Sequence, residues 1–224
     1  MQMVATLNDA EKRAIASYVA GKPAPEFRMP EPRKPEGMCP PETGAAVPNL
    51  LAGPRWNGWG VDMENSRFQP VDMAQLNAAD IPRLRLKWAF AFPLAIAAFS
   101  QPVVAGGRVF AGSMNGAIYS VDAKSGCTHW IYPASPAGVR AAVVIGPGVA
   151  GAEYTAYAGD ITAVVHALYA VNGTVLWKTK VDDHPVARIT GSPQLHEGKL
   201  YVPVASMEEA ATANPKYERL HFPR

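Results

Sequence analysis

The residues of this sequence best suited to chemistry are five histidines, a residue type that serves as acid, base or metal ligand. His129 and His166 lie inside repeated segments, whereas His184, His196 and His221 fall in predicted loops or in the tail. The sequence shows no nucleophile triad, phosphate-binding glycine loop or cluster with metal-ligand spacing around them. We therefore expect the two histidines within the repeats to be structural.

Two cysteines, Cys39 and Cys127, lie 88 residues apart and outside any CxxC pair. Because they lack metal-ligand spacing, they are either two buried thiols or one disulfide, and the cellular compartment decides between these alternatives. Cys39 falls in a proline-rich stretch. A bond to Cys127 would fasten that stretch to the body of the protein.

Composition excludes several function classes. The 224 residues include 21 Lys and Arg against 19 Asp and Glu, a net charge of +2, and the basic residues are scattered. Nucleic acid is therefore not expected as a partner. The most apolar stretch, Trp88 to Phe99, is too short for a membrane span and contains Pro93, so we interpret it as buried strand and loop. No secretory signal peptide is visible at the N-terminus.

The elements that must position any site are built on a repeat. Residues 116–130 (GAIYSVDAKSGCTHW) recur without a gap as residues 163–177 (AVVHALYAVNGTVLW). Each copy predicts two strands around a turn closed by glycine, Gly126 or Gly173, with tryptophan ending the second strand. Since a lone hairpin is only marginally stable in water, the copies are expected to stack on one another.

The repeat extends to a larger unit. Turns at Gly106-Gly107 and Asn115-Gly116 predict further strands, and the start of the unit recurs at Pro193, 91 residues after Pro102. Tryptophans end successive units at intervals of 42 and 47 residues, the length of a four-stranded propeller blade: Trp88, Trp130 and Trp177. The predicted fold class is all-β, a partial β-propeller of about two blades plus pieces, with one N-terminal α-helix. Such a chain cannot close a ring of about four to eight blades.

Two segments precede the blades. Asn8 or Thr6 can cap a helix that Gly21 ends. Nine prolines follow, which favours an extended linker or a strap along a surface. The chain accordingly divides into a helical segment, a linker and a partial propeller: residues 1–22, 23–54 and 55–224.

Residues 56–90 resemble a segment of the quinoprotein alcohol dehydrogenases, which bind pyrroloquinoline quinone (PQQ) in an eight-bladed β-propeller. The resemblance rests on a spaced pattern of ten residues: Trp59, Gly60, Asp62, Asn65, Arg67, Phe68, Leu76, Asn77, Leu84 and Trp88. The helical segment, with LNDAE and ASYV, resembles the closing helix of a class I cytochrome c, although the haem-attachment CxxCH is absent. A cytochrome domain ahead of the blades is typical of the polyvinyl alcohol dehydrogenase branch, which this order of segments resembles.

The resemblance implies a site for PQQ and Ca²⁺ at the propeller axis. Arg140, in GVRAA, stands where the family has an arginine for PQQ, and Thr190, in TGSP, matches a family threonine. In SMEE, Ser206 and Glu208 match a Ser/Gly-x-Glu pattern whose glutamate binds Ca²⁺, with Glu209 as an alternative. The resemblance also implies a periplasmic protein, in which Cys39 and Cys127 would be bonded.

The sequence also departs from the family. Phe99 stands where methanol-type enzymes carry a glutamate that contacts PQQ. After Tyr217-Glu218 the chain ends with RLHFPR, where the family continues into vicinal cysteines, further metal ligands and a catalytic aspartate. We therefore assign no catalytic residue, and we expect a truncated or frame-shifted piece that is inactive by itself.

Two functions remain open at this point. The first is part of a PQQ-dependent enzyme that oxidises alcohols or polyalcohols and passes electrons to cytochrome c or a quinone, with haem c in a missing upstream domain. The second is a non-catalytic PQQ-like β-propeller that serves as a scaffold for protein binding. The 56–90 segment and the cytochrome-like helix favour the enzyme. A WD-type propeller is excluded, because tryptophan here follows Gly-x-x-x and not Asp.

Overall fold

The computed structural model describes residues 8–23, 37–40, 49–61, 64 and 66–214. The chain divides into two compact parts, Met1–Glu36 and Gly37–Arg224. Most of the proline-rich stretch, residues 24–36 and 41–48, lies outside the described residues, as do Asp62 and Asn65.

The first part contains one described helix, α1 (Asp9–Ala20). The side chain of Asn8 accepts a hydrogen bond from the Glu11 N–H at 3.0 Å, and the Glu11 carboxylate accepts one from the Asn8 N–H at 2.8 Å. Gly21 ends the helix with φ 63°, a conformation that glycine adopts without a Cβ clash. The predicted N-terminal helix is therefore confirmed, with both of its end signals.

Blade 1 is a four-stranded antiparallel sheet whose strands follow chain order. Its strands are β1 (Val103–Ala105), β2 (Arg108–Gly112), β3 (Ala117–Asp122) and β4 (Thr128–Pro133). The connections fall at the predicted glycine turns, and the register of β3 against β4 shifts between Ser120 and Val121.

Blade 2 repeats this arrangement with strands β5 (Val144–Pro147), β6 (Tyr154–Gly159), β7 (Val164–Tyr169) and β8 (Val175–Lys180). The register of β7 against β8 shifts between Ala167 and Leu168, each 47 residues after its counterpart in blade 1. The structure thus confirms the repeat predicted from the sequence, and the two blades share even the register shift between their last two strands.

A third unit begins but is shorter. Strands β10 (Gln194–His196) and β11 (Lys199–Tyr201) form a hairpin, while β12 (Ala205–Ser206) pairs with β9 (Ala187–Arg188). Three short helices complete the described elements: α2 (Val71–Ala74), a 3-10 helix (Ala78–Arg83) and α3 (Glu208–Ala211). The chain is a partial β-propeller, as the sequence predicts.

Side chains between the two blades form the main core. Phe110, Ile118 and Trp130 of blade 1 pack with Ile145 and Leu168 of blade 2, and all five are at most 5 % exposed. Burying one large apolar side chain contributes roughly 1.5–3 kcal/mol. Stacking of the two blades therefore buries the apolar faces that a single blade would leave in water.

Trp88 and Trp130 each join one unit to the next, whereas Trp177 is 36 % exposed and packs against Tyr157 of its own blade. The indole N–H of Trp88 donates to the Ala123 carbonyl at 3.1 Å, and that of Trp130 donates to the Ala170 carbonyl at 3.0 Å. Both acceptors lie in the turn before the last strand of the following sheet. The indoles therefore fasten equivalent turns in blades 1 and 2.

The stretch from Trp88 to Phe99 corrects one prediction. It forms no strand, and Leu94 and Ile96 are 57 % and 93 % exposed. Both edges of blade 1 are already paired, β1 with Trp56 and β4 with the backbone at Cys39. The stretch therefore has no edge to join, and the side chains of Trp88, Phe90 and Phe92 pack instead on the face of the sheet.

The linker meets blade 1 at its outer edge. The Cys39 N–H donates to the Thr128 carbonyl at 2.9 Å, the Thr128 N–H donates to the Gly37 carbonyl at 2.8 Å, and Cys39 is disulfide-bonded to Cys127. This part of the linker acts as a short extra strand on β4. Within the described part of the chain, no helix combines the length and apolar character needed to cross a membrane.

Candidate functional site

Three residues singled out in the sequence occupy one recurring place. Phe99, Arg140 and Thr190 each lie four residues before the first strand of a unit, β1, β5 and β10 respectively. The residue just before Arg140 is Val139, whose N–H donates to the Ser113 carbonyl at 2.9 Å. The structure thus places Arg140 and Thr190 at equivalent positions of consecutive units.

The segment that carries Thr190 is held in the same way as the segment that carries Arg140. The N–H of Ile189, which precedes it, donates to the Asp160 carbonyl at 3.0 Å. Glycine makes both approaches possible, because a Cβ on Gly112 would overlap Val139 and a Cβ on Gly159 would overlap Ile189. The segments that carry Arg140 and Thr190 are therefore held closely against the ends of β2 and β6.

Serine side chains fasten these segments to one another. The Ser100 hydroxyl donates to the Ala141 carbonyl at 2.9 Å and accepts from the Gly112 N–H at 3.0 Å. One unit further, the Ala142 N–H donates to the Ser192 hydroxyl at 3.0 Å. These hydrogen bonds therefore link the segments that carry Phe99, Arg140 and Thr190.

Arg140 is half-buried, and its guanidinium carbon lies 4.4 Å from the centroid of the Phe99 ring. A guanidinium is planar, always charged, and presents its N–H groups around its edge. Held in this way, Arg140 offers a paired-donor surface suited to carboxylates. Thr190 is also half-buried and adds a hydroxyl at the equivalent position of the next unit.

The candidate metal ligand lies in a second group of polar residues. The Ser206 hydroxyl donates to Oε2 of Glu208 at 3.3 Å, and Oε1 of Glu208 lies 3.7 Å from Nε2 of His184. The side chains of His184 and Glu208 are 5 % and 20 % exposed, whereas Glu209 is exposed. Because Ser206 pairs with Ala187 of β9, this group is positioned by the segment that leads to Thr190.

His184 is a residue whose role the sequence did not indicate, since it falls in a loop. Its contact with Glu208 spans a turn, a β-pairing and a helix start, and no spacing rule would find it. Across the described residues, no three His, Cys, Asp or Glu side chains converge as a metal site. Glu208 and Ser206 thus supply one carboxylate and one hydroxyl, and further oxygen ligands would be needed for Ca²⁺.

The 56–90 segment begins at the inner strands. Trp56 exchanges backbone hydrogen bonds with Val104 of β1. The Asn57 side chain then accepts from the Ile145 N–H at 2.7 Å and donates to the Ile145 carbonyl at 2.6 Å. Beside this contact is a cavity of about 190 Å³ lined by residues that include Arg55 and Gln194. The segment therefore links the first strands of both blades.

A buried polar network joins the blades away from Arg140. Asp160 is 1 % exposed, and Oδ1 accepts from the Thr162 hydroxyl and from the N–H groups of Thr162 and Val164. Its Oδ2 lies 3.0 Å from Nε2 of His166, and Nδ1 of His166 lies 3.2 Å from the Tyr132 hydroxyl. The Asp–His–Tyr chain crosses from blade 2 to blade 1.

The electrostatics of this network favour an ionised aspartate. Burial raises the pKa of Asp160, but hydrogen bonds from His166, Thr162 and Val164 outweigh it and hold that pKa below its ordinary value. Burial, together with the charge of Asp160, raises the pKa of Tyr132. The surroundings of Tyr132 therefore oppose ionisation of its phenol.

The position of His166 in the repeat supports a structural role. Its counterpart 47 residues earlier is Tyr119, which meets Phe90 edge-on with ring centroids 5.5 Å apart. Tyr132 and His166 meet in the same manner at 5.6 Å. The Tyr132–His166 contact thus takes the place that the Phe90–Tyr119 contact has one unit earlier, and it is also hydrogen-bonded.

Four-stranded antiparallel units, joined by tryptophans and stacked face to face, define this protein as part of a β-propeller. No protein-family model matches the chain. Curated relatives do match it. The chain is 40 % identical over 230 residues to a polyvinylalcohol dehydrogenase of Pseudomonas sp, an alignment that covers 98 % of this chain and 35 % of that protein.

Two further relatives extend this comparison. The chain is 40 % identical over 175 residues to a polyvinylalcohol dehydrogenase of Sphingopyxis sp. strain 113P3, covering 78 % of this chain and 26 % of that protein. It is 32 % identical over 157 residues to the quinoprotein alcohol dehydrogenase PedH of Pseudomonas putida, covering 68 % and 26 %. The chain belongs to the quinoprotein alcohol dehydrogenase family. It spans about a third or less of the length of these relatives.

Solved structures agree on the fold. A europium-containing methanol dehydrogenase matches with a TM-score of 0.55 and 22 % identity, covering 70 % of this chain and 28 % of that one. The quinohemoprotein alcohol dehydrogenase of Comamonas testosteroni matches with a TM-score of 0.54 and 22 % identity, covering 70 % and 24 %. At this identity the likeness concerns the fold alone.

Proposed function

We propose that this chain supplies part of the cofactor site of a PQQ-dependent alcohol dehydrogenase, with Arg140 as its main anionic-group receptor. The observation that carries the proposal is the half-buried Arg140 guanidinium, fixed at a position that recurs from unit to unit. PQQ is planar and carries up to three carboxylates. A fixed arginine can receive one of them through two parallel hydrogen bonds.

The neighbouring residues have complementary roles in this proposal. The Thr190 hydroxyl would donate to a second polar group of the cofactor, while the Ser206 hydroxyl, which donates its proton to Glu208, would offer its oxygen as an acceptor from the β12 side. The bound quinone supplies the chemistry of accepting a hydride from the alcohol carbon. This chain's residues would bind and orient it, and none of them is proposed as the catalytic base.

Glu208 is proposed as a ligand for Ca²⁺. Its carboxylate is the kind of hard oxygen donor that Ca²⁺ prefers, and Ser206 holds one of its oxygens in place. We infer that His184 positions the other oxygen, which lies 3.7 Å from Nε2. The donor set fits Ca²⁺ in part, so the remaining ligands would come from the cofactor and from other residues.

The wider function is proposed from the relatives. Two of them are named as polyvinylalcohol dehydrogenases, and another as a 1-butanol dehydrogenase (cytochrome c) from Thauera butanivorans. We propose alcohols or polyalcohols as substrates and cytochrome c as electron acceptor, with the cytochrome-like helix α1 marking a haem c domain upstream. The Cys39–Cys127 disulfide supports an oxidising compartment such as the periplasm.

A titration with PQQ tests the proposal. PQQ is added to the 224-residue chain in the presence of Ca²⁺, and quenching of tryptophan fluorescence is followed. Arg140→Met should raise the dissociation constant about tenfold or more, since a charged hydrogen-bonded partner is lost. Arg85→Met is the matched control, because Arg85 is exposed and donates to the nearby backbone carbonyls of Pro82 and Leu84.

The outcomes separate the two functions considered from the sequence. Saturable quenching that Arg140→Met weakens and Arg85→Met leaves unchanged supports the cofactor site. Absence of saturable quenching in a chain with a cooperative unfolding transition contradicts it and favours the protein-binding scaffold. Glu208→Gln should weaken the Ca²⁺ dependence of binding while leaving the fold intact.

A further inference from the structure

Phe99 and Arg140 form a contact between two units of the propeller. The Phe99 ring lies with its centroid 4.4 Å from the guanidinium carbon of Arg140. Phe99 is 53 % exposed, although it is a large apolar side chain. An aromatic residue left half in water beside a half-buried cation is explained by attraction between the ring face and the charge.

The backbone beneath the pair is fixed on both sides. Ser100, next to Phe99, bonds the Ala141 carbonyl next to Arg140, and the same hydroxyl accepts from Gly112 of β2. One serine thus sets the distance between the segments that carry the ring and the cation. The fold therefore sets the backbone positions from which the ring and the cation meet.

The chemistry of the stack differs from that of an ion pair. A carboxylate opposite Arg140 would accept its N–H groups and cancel its charge. An aromatic ring attracts the cation through its face, so the N–H groups on the guanidinium edge stay available in the plane. Phe99 therefore orients Arg140 without competing with an anionic ligand.

We propose that Phe99 is a positioning residue that holds the Arg140 guanidinium for a carboxylate-bearing planar cofactor. The inference rests on the proposed function, because it concerns the same site. It assigns to Phe99 a role that depends on the aromatic face, so that an aliphatic side chain of similar volume cannot replace it.

Two variants test this role. Phe99→Leu keeps apolar volume but removes the ring, whereas Phe99→Tyr keeps the ring and serves as the conservative rescue. Phe99→Leu should raise the dissociation constant for PQQ about threefold to tenfold. Phe99→Tyr should stay within about twofold of the parent chain. Thermal unfolding of each variant checks that the fold is unchanged.

A second measurement reads Arg140 directly and needs no cofactor. In nuclear magnetic resonance spectra with isotope-labelled arginine, the side-chain N–H of Arg140 should show a ring-current shift, identified by its absence from Arg140→Met. That shift should disappear in Phe99→Leu and persist in Phe99→Tyr. An unshifted Arg140 signal in the parent chain overturns the inference, whatever the cofactor does.

The two measurements distinguish the failures. If PQQ binds and Arg140→Met weakens it, but Phe99→Leu binds like the parent, the role of Phe99 is overturned and the proposed function stands. If PQQ does not bind the parent chain, the proposed function is overturned, and the role of Phe99 toward PQQ falls with it. Loss of both affinity and ring-current shift in Phe99→Leu, with rescue by Phe99→Tyr, supports the inference.

Discussion

The indole of Trp130 lies directly against Gly173 of the next blade. A Cβ built on Gly173 would come within 2.8 Å of the indole carbons, closer than carbon atoms pack. The same relation holds between Trp88 and Gly126. Glycine is therefore required at this turn for two reasons, since its φ of 76° is positive and a neighbouring ring occupies the space of a side chain.

Gly173→Ala should destabilise the protein by about 1–3 kcal/mol more than Gly107→Ala, because the indole must move to admit the methyl group. Gly107 is a matched control, with φ 75° and, among the described residues, no atom within 4 Å of the place that its Cβ would take. Because the two glycines have nearly the same φ, the difference between the variants mainly reports the contact with the indole. Urea unfolding measures this difference. Equal losses of stability in the two variants would contradict the packing of Trp130 against Gly173.

Reduction of the Cys39–Cys127 disulfide should lower the free energy of unfolding by about 2–4 kcal/mol, because the bond restricts the unfolded chain. The variant with both cysteines changed to serine should show the lower stability and no response to reductant. Alkylation followed by mass measurement checks the bond itself. Two free thiols under oxidising conditions would show that the linker is held against blade 1 without the disulfide.

Asp160 should make the free energy of unfolding depend on pH in the acid range. Because hydrogen bonds hold its folded-state pKa below the ordinary value of 3.8, folding favours the ionised form. This contribution is fully present above the ordinary pKa and is lost as the pH falls through the lower folded-state pKa. Asp160→Asn should therefore flatten the fall in stability below about pH 4.

The same variant should also cost about 1–3 kcal/mol at neutral pH, since buried donors lose a charged acceptor. Glu153→Gln, which changes an exposed carboxylate, controls for the loss of one charge. Unfolding free energies measured from about pH 3 to about pH 7 decide the matter. An Asp160→Asn curve parallel to that of the parent would remove the aspartate from the acid response.

Asn57→Ala should cost about 1–3 kcal/mol, because it leaves both the N–H and the carbonyl of Ile145 without their side-chain partner. The Ile145 amide should also exchange faster with solvent. Asn172→Ala is the comparison, since Asn172 accepts one hydrogen bond, from Thr174, in an exposed turn. Unchanged exchange at Ile145 would mean that the 56–90 segment does not hold β5.

The blades were predictable from the sequence because their signals are local. Glycines at the turns, alternation along the strands and tryptophan at a fixed spacing all act within about fifty residues, so the repeat, the strand order and the stacking followed from it. The Trp88–Phe99 stretch shows the limit of such reasoning. Its apolar residues indicated burial, but only the occupied edges of blade 1 explain why it does not form a strand.

The sequence by itself determined the repeat, the helix with its two end signals and the resemblance that selected Arg140, Thr190, Ser206 and Glu208. The tertiary structure alone decided which side chains meet across units: Phe99 with Arg140, His184 with Glu208, Asn57 with Ile145, and Asp160 and His166 with Tyr132. The physical reason is that a repeat sets backbone geometry through short-range rules. Contacts between side chains of different units depend on how closely the blades pack, which no local spacing encodes.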